Sequence, residues 1–447
     1  MSAWIRNVWS AVRNGLWFIP GVLAIAGGGL AAALMRGERA GLLGSSSSRW
    51  WLYQGDADGA RTVLNVITGS LITVTGVVFS VTIVAVQLAS SQYTPRVLRN
   101  FSSDRGNQFV LGLFIGTFMY AVAVLRTVRS SGGLAGEFVP RVGITVSVVL
   151  LTICVGALIY FINHVAREIH VTAIMDRAAS DTIRNVRELF PENIGRADAN
   201  QSRDPRLLEE PSVTLAAEES GYLHLVDEDT LFEGGERERV TIGMKPRIGD
   251  YVLRGRPLAE LWSEAGVSAD ARESIRRAFV LGPERTPDQD VGYGIIQISD
   301  IAIKALSPSI NDPTTGVRCI NRLTEILAEL GSRNPPEPRR TRDGVIRFIA
   351  TYMTFDDAMK LAFDDIRHFG APIPIIAGHL LHALGELRAV TPRERAETIR
   401  AHAAAVLFSA RDEASNPRDR AALDEAERQF RSRMESGAPA ASNSVSR

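Results

Sequence analysis

The longest apolar segment of the chain lies between Arg61 and Arg96, and it contains no charged residue. At about 1.5 Å rise per residue, a helix of this segment would span roughly 40 Å, which is enough to cross a bilayer with some tilt. Three further apolar segments have the length of a membrane helix. They are Leu16–Met35, Phe109–Leu125 and Val142–Phe161. The pattern therefore predicts four transmembrane helices within residues 1–165.

The second of these segments carries a polar stripe that is unusual for a membrane span. At about 100° per residue, seven glycine, hydroxyl and amide residues fall within roughly an 80° arc of a helix. They are Asn65, Gly69, Thr73, Gly76, Ser80, Gln87 and Ser91. Such a stripe favours close helix–helix packing, because small residues let two backbones approach. The alternative is a water-facing wall in an oligomeric pore, where polar groups replace hydration without fixed charge.

Two basic residues, Arg96 and Arg99, follow this helix at a spacing that places them on one helical face. They are expected either to contact lipid phosphates or to form a positive ring at a pore mouth.

After Val142–Phe161 the helical pattern continues without a breaker to Pro191. This predicts a single helix of about 49 residues, or roughly 75 Å, that leaves the membrane.

The sequence changes character after a polar, turn-rich linker that ends near residue 211. VTIGMKPRIGDYVLRGRPLAELW has short β-type segments and the Gly249-Asp250 turn, and it resembles the small β-barrel of biotinyl and lipoyl carrier domains. Carrier domains place a modifiable lysine after such a turn, but the next lysine here is Lys304, so a swinging arm is not expected. Gly344–Thr351 is a further candidate strand in an otherwise helical region.

These patterns predict an α-helical membrane domain followed by an α+β soluble region. The predicted divisions are a four-helix transmembrane domain over residues 1–165, a helical extension and linker over 166–211, a small β-rich module over 212–262, a mainly helical domain over 263–435 and a disordered tail over 436–447.

The segment DVGYGIIQISDIAIKALSPSINDPTTG contains the densest group of candidate ligand-binding residues. They are Asp290, Asp300, Asn311 and Asp312. Their oxygen atoms could gather around an ion or a small ligand, or they could cap helices and turns. His379 and His382 share a helical face, but without a cysteine or a further histidine motif nearby we expect no metal site. No cofactor is expected, and no nucleotide loop, nucleophile elbow or redox pair indicates an enzyme.

Charge is distributed unevenly although the net charge is zero. Residues 1–165 contain 12 Arg, no Lys and 5 acidic residues, which leaves the rest of the chain acidic. A basic membrane part suits anionic lipid headgroups, and an acidic soluble part argues against a nucleic-acid partner. The two cysteines, Cys154 and Cys319, cannot form a disulfide framework, and we therefore expect the soluble part in the cytoplasm.

Three strings occur in a characteristic order: TGVVFSVTIVAVQLASSQYTPRVLRNF, GDYVLRGRPLAEL and DVGYGIIQISDIAIKALSPSINDPTTG. With this order the chain resembles a bacterial family of predicted membrane proteins built around a domain of unknown function. The resemblance covers roughly residues 10–430 and implies a multi-pass protein of the bacterial inner membrane with a cytoplasmic C-terminal domain. It implies no activity and no site.

Two functions fit the sequence. The first is a homo-oligomeric channel or pore lined by the second helix, since four spans rarely enclose a path alone. The alternative is a non-conducting membrane scaffold or sensor whose cytoplasmic domain binds a ligand or a protein.

Overall fold

The computed structural model describes residues 17–40, 51–92, 105–129, 138–168, 170–190, 210–287, 289–333, 338–342 and 345–436. The chain forms two compact units, one within Arg6–Ile174 and the other within Met175–Arg447. We call the first the membrane unit and the second the soluble unit.

Among its described residues, the membrane unit contains four helices that are long and apolar enough to cross a bilayer. They are α1 (Phe18–Arg39), α2 (Ala57–Gln92), α3 (Arg105–Leu125) and α4 (Arg141–Glu168). Large apolar side chains such as Val66, Phe79, Ile153 and Ile159 are exposed on the outside of this unit. In a water-soluble protein such a surface would be unstable, so it fits contact with lipid. The prediction of four membrane helices is confirmed.

Helix α3 lies at the centre of the membrane unit. Half of the residues in its most apolar 18-residue stretch are buried, against 17% in the corresponding stretch of α1. Glycines let α1 and α3 approach closely, because a Cβ on Gly27 would overlap the carbonyl oxygen of Gly116, and one on Gly112 would lie 3.1 Å from Cα of Pro20. By contrast, a Cβ on Gly28 or Gly29 would meet nothing within 4 Å. Of the three consecutive glycines in α1, only Gly27 therefore has a packing role in the described residues.

Polar contacts fix the helices near one end of the membrane unit. The backbone N–H of Tyr53 donates to Oγ1 of Thr145 at 3.0 Å. The N–H of Val142, which lies in the first turn of α4, donates to Oε1 of Glu38 at 3.2 Å. An acidic side chain at a helix N-terminus satisfies N–H groups that have no partner in the helix itself. Glu38 thereby links the end of α1 to the start of α4.

The predicted helix of about 49 residues is wrong, because α4 ends at Glu168 and a new helix, α5 (Val171–Leu189), begins after His170. The His170 N–H bonds to the carbonyl of Arg167 at 3.1 Å, a short turn that ends α4. No proline or glycine marks this position, and the β-branched residues around it lower helix propensity only slightly. Because the sequence has no helix-breaking residue here, its helical pattern could not reveal that α4 and α5 are separate helices.

The described residues of the soluble unit form two small sheets. Their strands are β1 (Val213–Ala216), β2 (Gly221–Val226), β3 (Thr241–Met244), β4 (Tyr251–Val252), β5 (Pro257–Trp262), β6 (Phe279–Gly282), β7 (Arg339–Arg342) and β8 (Val345–Ile349). One sheet has the order β1-β5-β3-β8-β7, and the other has the order β4-β2-β6. All pairs are antiparallel except β3 with β8, which is parallel.

The sheets extend beyond the β-rich module that was expected over residues 212–262. Strand β8 confirms the candidate strand at Gly344–Thr351, but it pairs with β3, which is about 100 residues earlier in the chain. Phe348 of β8 and Ile242 of β3 are fully buried in the sheet core. Because strand pairing between distant segments depends on tertiary packing, the sequence pattern alone did not reveal this partner.

Helices complete the soluble unit. They are α6 (Glu228–Arg237), α7 (Ala269–Arg277), α8 (Val291–Leu306), α9 (Pro313–Ser332), α10 (Phe355–Gly370), α11 (Pro374–Val390), a short 3-10 turn (Arg393–Arg395), α12 (Ala396–Glu413) and α13 (Pro417–Ser436). Helix α8 packs on α9 and α10, and α11 packs on α9 and α13. Twelve of the sixteen residues of α8 are buried, which makes it the central helix of this layer.

Within the soluble unit, α5 packs against α8 and α9. Sγ of Cys319 on α9 lies 3.2 Å from Sδ of Met175, and a Cβ on Gly294 of α8 would overlap the hydroxyl of Thr182. Most of the predicted extension over residues 166–211 that the structure describes is therefore part of the soluble unit's core. The observed fold confirms the expected class, a four-helix membrane part followed by an α+β soluble part.

Replacing Gly27 by Ala should destabilise the membrane unit, because the new methyl group would overlap the backbone of α3 and force the two helices apart. Overpacking of this kind costs about 1–3 kcal/mol. Gly28→Ala is the matched control, since its Cβ meets nothing within 4 Å. The check is the thermal unfolding midpoint of both variants in the same detergent. Equal midpoints would contradict the α1–α3 contact.

Candidate functional site

The polar stripe of α2 lies on the side of the helix that faces away from the core of the membrane unit. The opposite side is apolar and buried, and it comprises Ala60, Leu64, Ile67, Leu71, Val78 and Ala85. The stripe residues whose burial the structure describes are all exposed, and they are Asn65, Gly69, Thr73, Gly76, Ser80 and Gln87. At about 100° per residue, the two sets lie on opposite sides of α2.

The glycines of the stripe do not bring α2 close to another described helix of the same protomer. A Cβ built on Gly69 or Gly76 meets nothing within 4 Å, in contrast to Gly27 of α1. Packing inside the protomer therefore does not account for these two glycines. Ser91 lies in α2, but its side chain is outside the described residues, as are Arg96 and Arg99.

The stripe's polar groups differ in how well a lipid environment would tolerate them. Oγ1 of Thr73 donates to the carbonyl oxygen of Gly69 at 3.0 Å and is satisfied within the helix. Asn65 and Gln87 carry amides with two N–H donors and a carbonyl acceptor each, and both residues are exposed. An unsatisfied polar group in hydrocarbon costs several kcal/mol. This face of α2 therefore suits water or a polar partner better than lipid.

The four acidic and amide residues predicted to gather around a ligand are spread along α8 instead. Asp290 caps the N-terminus of α8 by accepting from the N–H of Tyr293 at 2.9 Å, and Asp300 lies within the helix. Asp312 follows the C-terminus of α8 and caps α9. Since α8 has sixteen residues, its ends are about 24 Å apart. Of the two alternatives, one shared site is wrong because the rigid helix separates its members, and Asp290 and Asp312 act as helix caps.

Capping explains the turn that contains Asn311 and Asp312. Asp312 accepts hydrogen bonds from the N–H of Thr315 at 3.1 Å and from its hydroxyl at 2.6 Å. These bonds hold the pKa of Asp312 below its usual range. Asn311 adopts φ of +49°, a left-handed conformation that asparagine tolerates better than most residues.

Within the described residues, no group of three or more His, Cys, Asp or Glu side chains could hold a metal ion.

A cavity of about 480 Å³ in the soluble unit is the better candidate for a ligand site. It lies where the loop before β4, the N-terminus of α8, the helix α10 and the end of α5 meet. Apolar side chains form part of its wall, and they are Leu189, Phe190, Ile248, Val291, Met353 and Leu361. Its volume is in the range of small-molecule sites in proteins.

The charged residues of this cavity are mostly carboxylates. In the part of the chain that the structure describes, six acidic residues line it, and they are Glu228, Asp250, Asp290, Asp357, Asp364 and Asp365. Three of the described lining residues are basic, and they are Arg247, Arg285 and Lys360. Arg247 contacts Asp357 at 2.6 Å, and Arg285 forms a two-point ion pair with Asp290 at 2.7 and 2.8 Å.

Tyr352 lines the cavity beside Phe190, and the two rings meet edge to face with centroids 6.4 Å apart. The hydroxyl of Tyr352 donates to Oε1 of Glu228 at 3.2 Å, and Glu228 also pairs with Arg340. Burial and the negative charge of Glu228 raise the pKa of Tyr352 to about 12. At neutral pH the ring is therefore uncharged and presents a polar tip on an apolar body.

The Gly249-Asp250 turn positions the cavity's most buried ion pair. Gly249 has φ of +88°, and a Cβ on it would overlap Oδ2 of Asp290 and lie 2.6 Å from Nη2 of Arg285. Asp250 accepts from the N–H of Arg247 at 2.8 Å and closes the turn. The turn that resembles carrier domains thus packs its backbone against the N-terminus of α8.

Residues 13–386 of the chain match the family described as "Predicted membrane protein (DUF2254)". The chain belongs to this family. It is similar to the uncharacterized proteins MT1328 and Rv1290c of two Mycobacterium tuberculosis strains and Mb1321c of Mycobacterium bovis. Each is 35% identical over 377 residues, which cover 83% of this chain and 72% of the relative. No solved structure matches the chain.

Membership in DUF2254 confirms the family resemblance and a location in the lipid bilayer. It assigns no residue a role, so the candidate sites depend on geometry. Of the cavity's residues, only Asp290 was among the sequence candidates. The others come from segments up to about 175 residues apart, from Leu189 to Asp365, and no local pattern groups them. The Gly249-Asp250 turn, which lies at this cavity, was recognisable in the sequence, although the sequence did not indicate what the turn would contact.

Gly249→Ala should disrupt the Arg285–Asp290 pair, because the new methyl group enters the space that Asp290 occupies. Gly255→Ala is the matched control: Gly255 also has a positive φ, +83°, but a Cβ there meets nothing within 4 Å. Left-handed strain costs each variant about 1–2 kcal/mol. In thermal unfolding, Gly249→Ala should therefore lose more stability than Gly255→Ala, which loses only the cost of the strain. An equal loss of stability in both variants would contradict the contact with Asp290.

Asp312→Ala should lower the stability of the soluble unit at neutral pH by about 1 kcal/mol, the usual cost of losing a helix N-cap. The lowered pKa of Asp312 means that this stabilisation is present above the unfolded value of about 3.9 and is lost as pH falls through the folded value. Thermal unfolding of both proteins between pH 7 and pH 3 should show the difference shrinking in acid. Asn311→Gly is the control and should keep wild-type stability, and a constant difference across this range would contradict capping by the carboxylate.

Proposed function

We propose that this member of DUF2254 is a homo-oligomeric channel of the bacterial inner membrane in which the α2 stripes of several protomers line a water-filled path. The observation that carries the proposal is the position of the stripe. Its glycine, hydroxyl and amide residues are exposed on the side of α2 opposite to the buried face of the protomer.

The cost of polar groups in hydrocarbon supports this arrangement. Asn65 and Gln87 would each lose hydrogen bonds to water if α2 faced lipid, whereas a pore lumen keeps them hydrated. Apolar residues border the stripe, including Val66, Phe79 and Val84, and they are exposed as well. They suit lipid or the neighbouring copies in a ring. With four helices per protomer, a continuous path needs several copies.

The described part of the stripe contains no charged residue, and this bears on selectivity. Hydroxyl and amide groups, such as those of Ser80 and Asn65, would interact with a permeating solute through dipoles and bound water. Fixed charge would then have to come from the ends of the path. Arg96 and Arg99 follow α2 in the sequence and are the candidates for such a positive ring.

We place the soluble unit in the cytoplasm. The four spans of the described residues put the start of α1 and the end of α4 on the same side of the membrane, and Cys154 and Cys319 are both free thiols. A reducing compartment suits a protein of this size without a disulfide framework.

A non-conducting membrane scaffold or sensor is the second candidate, and the cavity in the soluble unit favours it. A chamber of about 480 Å³ beside paired charges is suited to binding a small molecule. In this case the α2 stripe would be a packing seam between copies, because small residues let two helices approach closely.

Cysteine accessibility should separate these two functions. In a background with Cys154→Ala and Cys319→Ala, single cysteines would replace Phe79, Ser80 and Val81, which are consecutive and therefore at nearly the same depth. A membrane-impermeant methanethiosulfonate reacts with the thiolate, which forms in water and not in lipid. We expect Ser80→Cys to react faster than both neighbours by about tenfold or more, and its modification to change single-channel current in a planar bilayer.

Three outcomes would contradict the channel. The first is equal reactivity at Phe79→Cys, Ser80→Cys and Val81→Cys. The second is a Ser80→Cys variant that resists the reagent but forms a disulfide between two copies, which would identify a packing seam. The third is silence of the unmodified protein across voltage, tension and pH.

A further inference from the structure

The cavity in the soluble unit has a defined chemical character that indicates what it binds. Its wall combines the rings of Phe190 and Tyr352 with the aliphatic side chains of Leu189, Ile248 and Leu361. The edge-to-face pair of Phe190 and Tyr352 has its centroids 6.4 Å apart. Such a wall favours the apolar body of an organic ligand rather than a bare hydrated ion.

The basic residues of the wall are already neutralised. Nη1 of Arg247 lies 2.6 Å from Oδ2 of Asp357, and Nε of Arg285 lies 2.7 Å from Oδ2 of Asp290. The third cation, Lys360, pairs with Asp356 at 2.6 Å. Because each positive group has a carboxylate beside it, none of them offers an uncompensated charge to an anionic ligand.

Among the described residues of the wall, the acidic ones exceed the basic ones by three. Asp364 lies on α10 with Nδ1 of His402 at 3.6 Å, but burial lowers the pKa of His402, so the imidazole is neutral at pH 7 and supplies no positive charge. Asp365 is the next residue on α10 and is exposed. Lys360 interacts with Asp364 as well as with Asp356, but the described wall still has more acidic than basic residues, so its potential is negative and suits a cation.

We propose that this cavity is a binding site for a cationic organic molecule, an amine whose alkyl or aryl part lies against Phe190, Tyr352 and Leu361 and whose ammonium group faces Asp364 and Asp365. The two carboxylates attract the ammonium group, whereas they would not attract a neutral alcohol and would repel a carboxylate. The inference concerns the soluble unit alone and holds whether or not the membrane unit conducts.

The test measures binding to the purified full chain in lipid nanodiscs by isothermal titration at pH 7.5. The probes are hexylamine and 2-phenylethylamine, with hexanol and hexanoate as matched neutral and anionic compounds. Empty nanodiscs give the correction for partitioning into lipid. We expect saturable binding of the two amines at one site per chain, and no saturable binding of hexanol or hexanoate.

The double variant Asp364→Asn with Asp365→Asn should weaken amine binding by about tenfold or more, because the ammonium group loses both charged partners. Neither residue caps a helix, so the variant should keep its unfolding midpoint within a few degrees. The matched control is Asp412→Asn with Glu413→Gln, an adjacent acidic pair that is exposed on α12 and outside this cavity. It should bind both amines as the wild type does.

Several results would overturn the proposal. These are the absence of saturable binding for both amines, tighter binding of hexanoate than of hexylamine, or equal weakening in the α10 and α12 variants. Since current is not measured here, failure of this site would leave the proposed channel standing. Failure of the cysteine experiment would likewise leave the amine site standing.

Discussion

The cost of placing an unsatisfied polar group in hydrocarbon is the constraint on which the membrane unit depends. It requires each span to be a helix, since only a helix satisfies its own backbone within the lipid. It also means that the two sides of α2 require different surroundings. Leu64 and Leu71 on one side are buried against the protomer, whereas Asn65 and Gln87 are exposed on the other. A single protomer leaves these amides without the surroundings that they need, and the proposal of an oligomeric, water-filled path follows from that mismatch.

The soluble unit depends on a different contact, the meeting of the Gly249-Asp250 turn with the N-terminus of α8. Asp290 both caps α8 and holds Arg285, and the absence of a side chain at Gly249 makes room for that pair. The contact joins the strand layer to the helical layer, and the cavity lies beside it. The Arg285–Asp290 pair is one of three ion pairs that neutralise the basic residues of the cavity wall, and the carboxylates of α10 then set its potential.

The chain therefore contains two candidate sites with opposite surroundings, and they can act independently or together. The α2 stripe has polar groups without charge in a lipid-facing unit, and the cavity has charge beside aromatic rings in the soluble unit. Membership in DUF2254 fits both, because the family is described only as membrane proteins. A channel whose soluble unit binds an amine would combine them, whereas a sensor would need only the cavity.

The sequence by itself determined the number and approximate bounds of the membrane helices, the strand at Val345–Ile349 and the polar stripe of α2. Each of these depends on local hydrophobic periodicity, which a chain shows before it folds. The tertiary structure alone decided that the stripe faces outward, that α4 and α5 are separate helices, and that Asp290 and Asp312 lie at opposite ends of α8. It also assembled the cavity from Phe190, Arg247 and Asp365, because contacts between distant segments are set by packing, which no local pattern encodes.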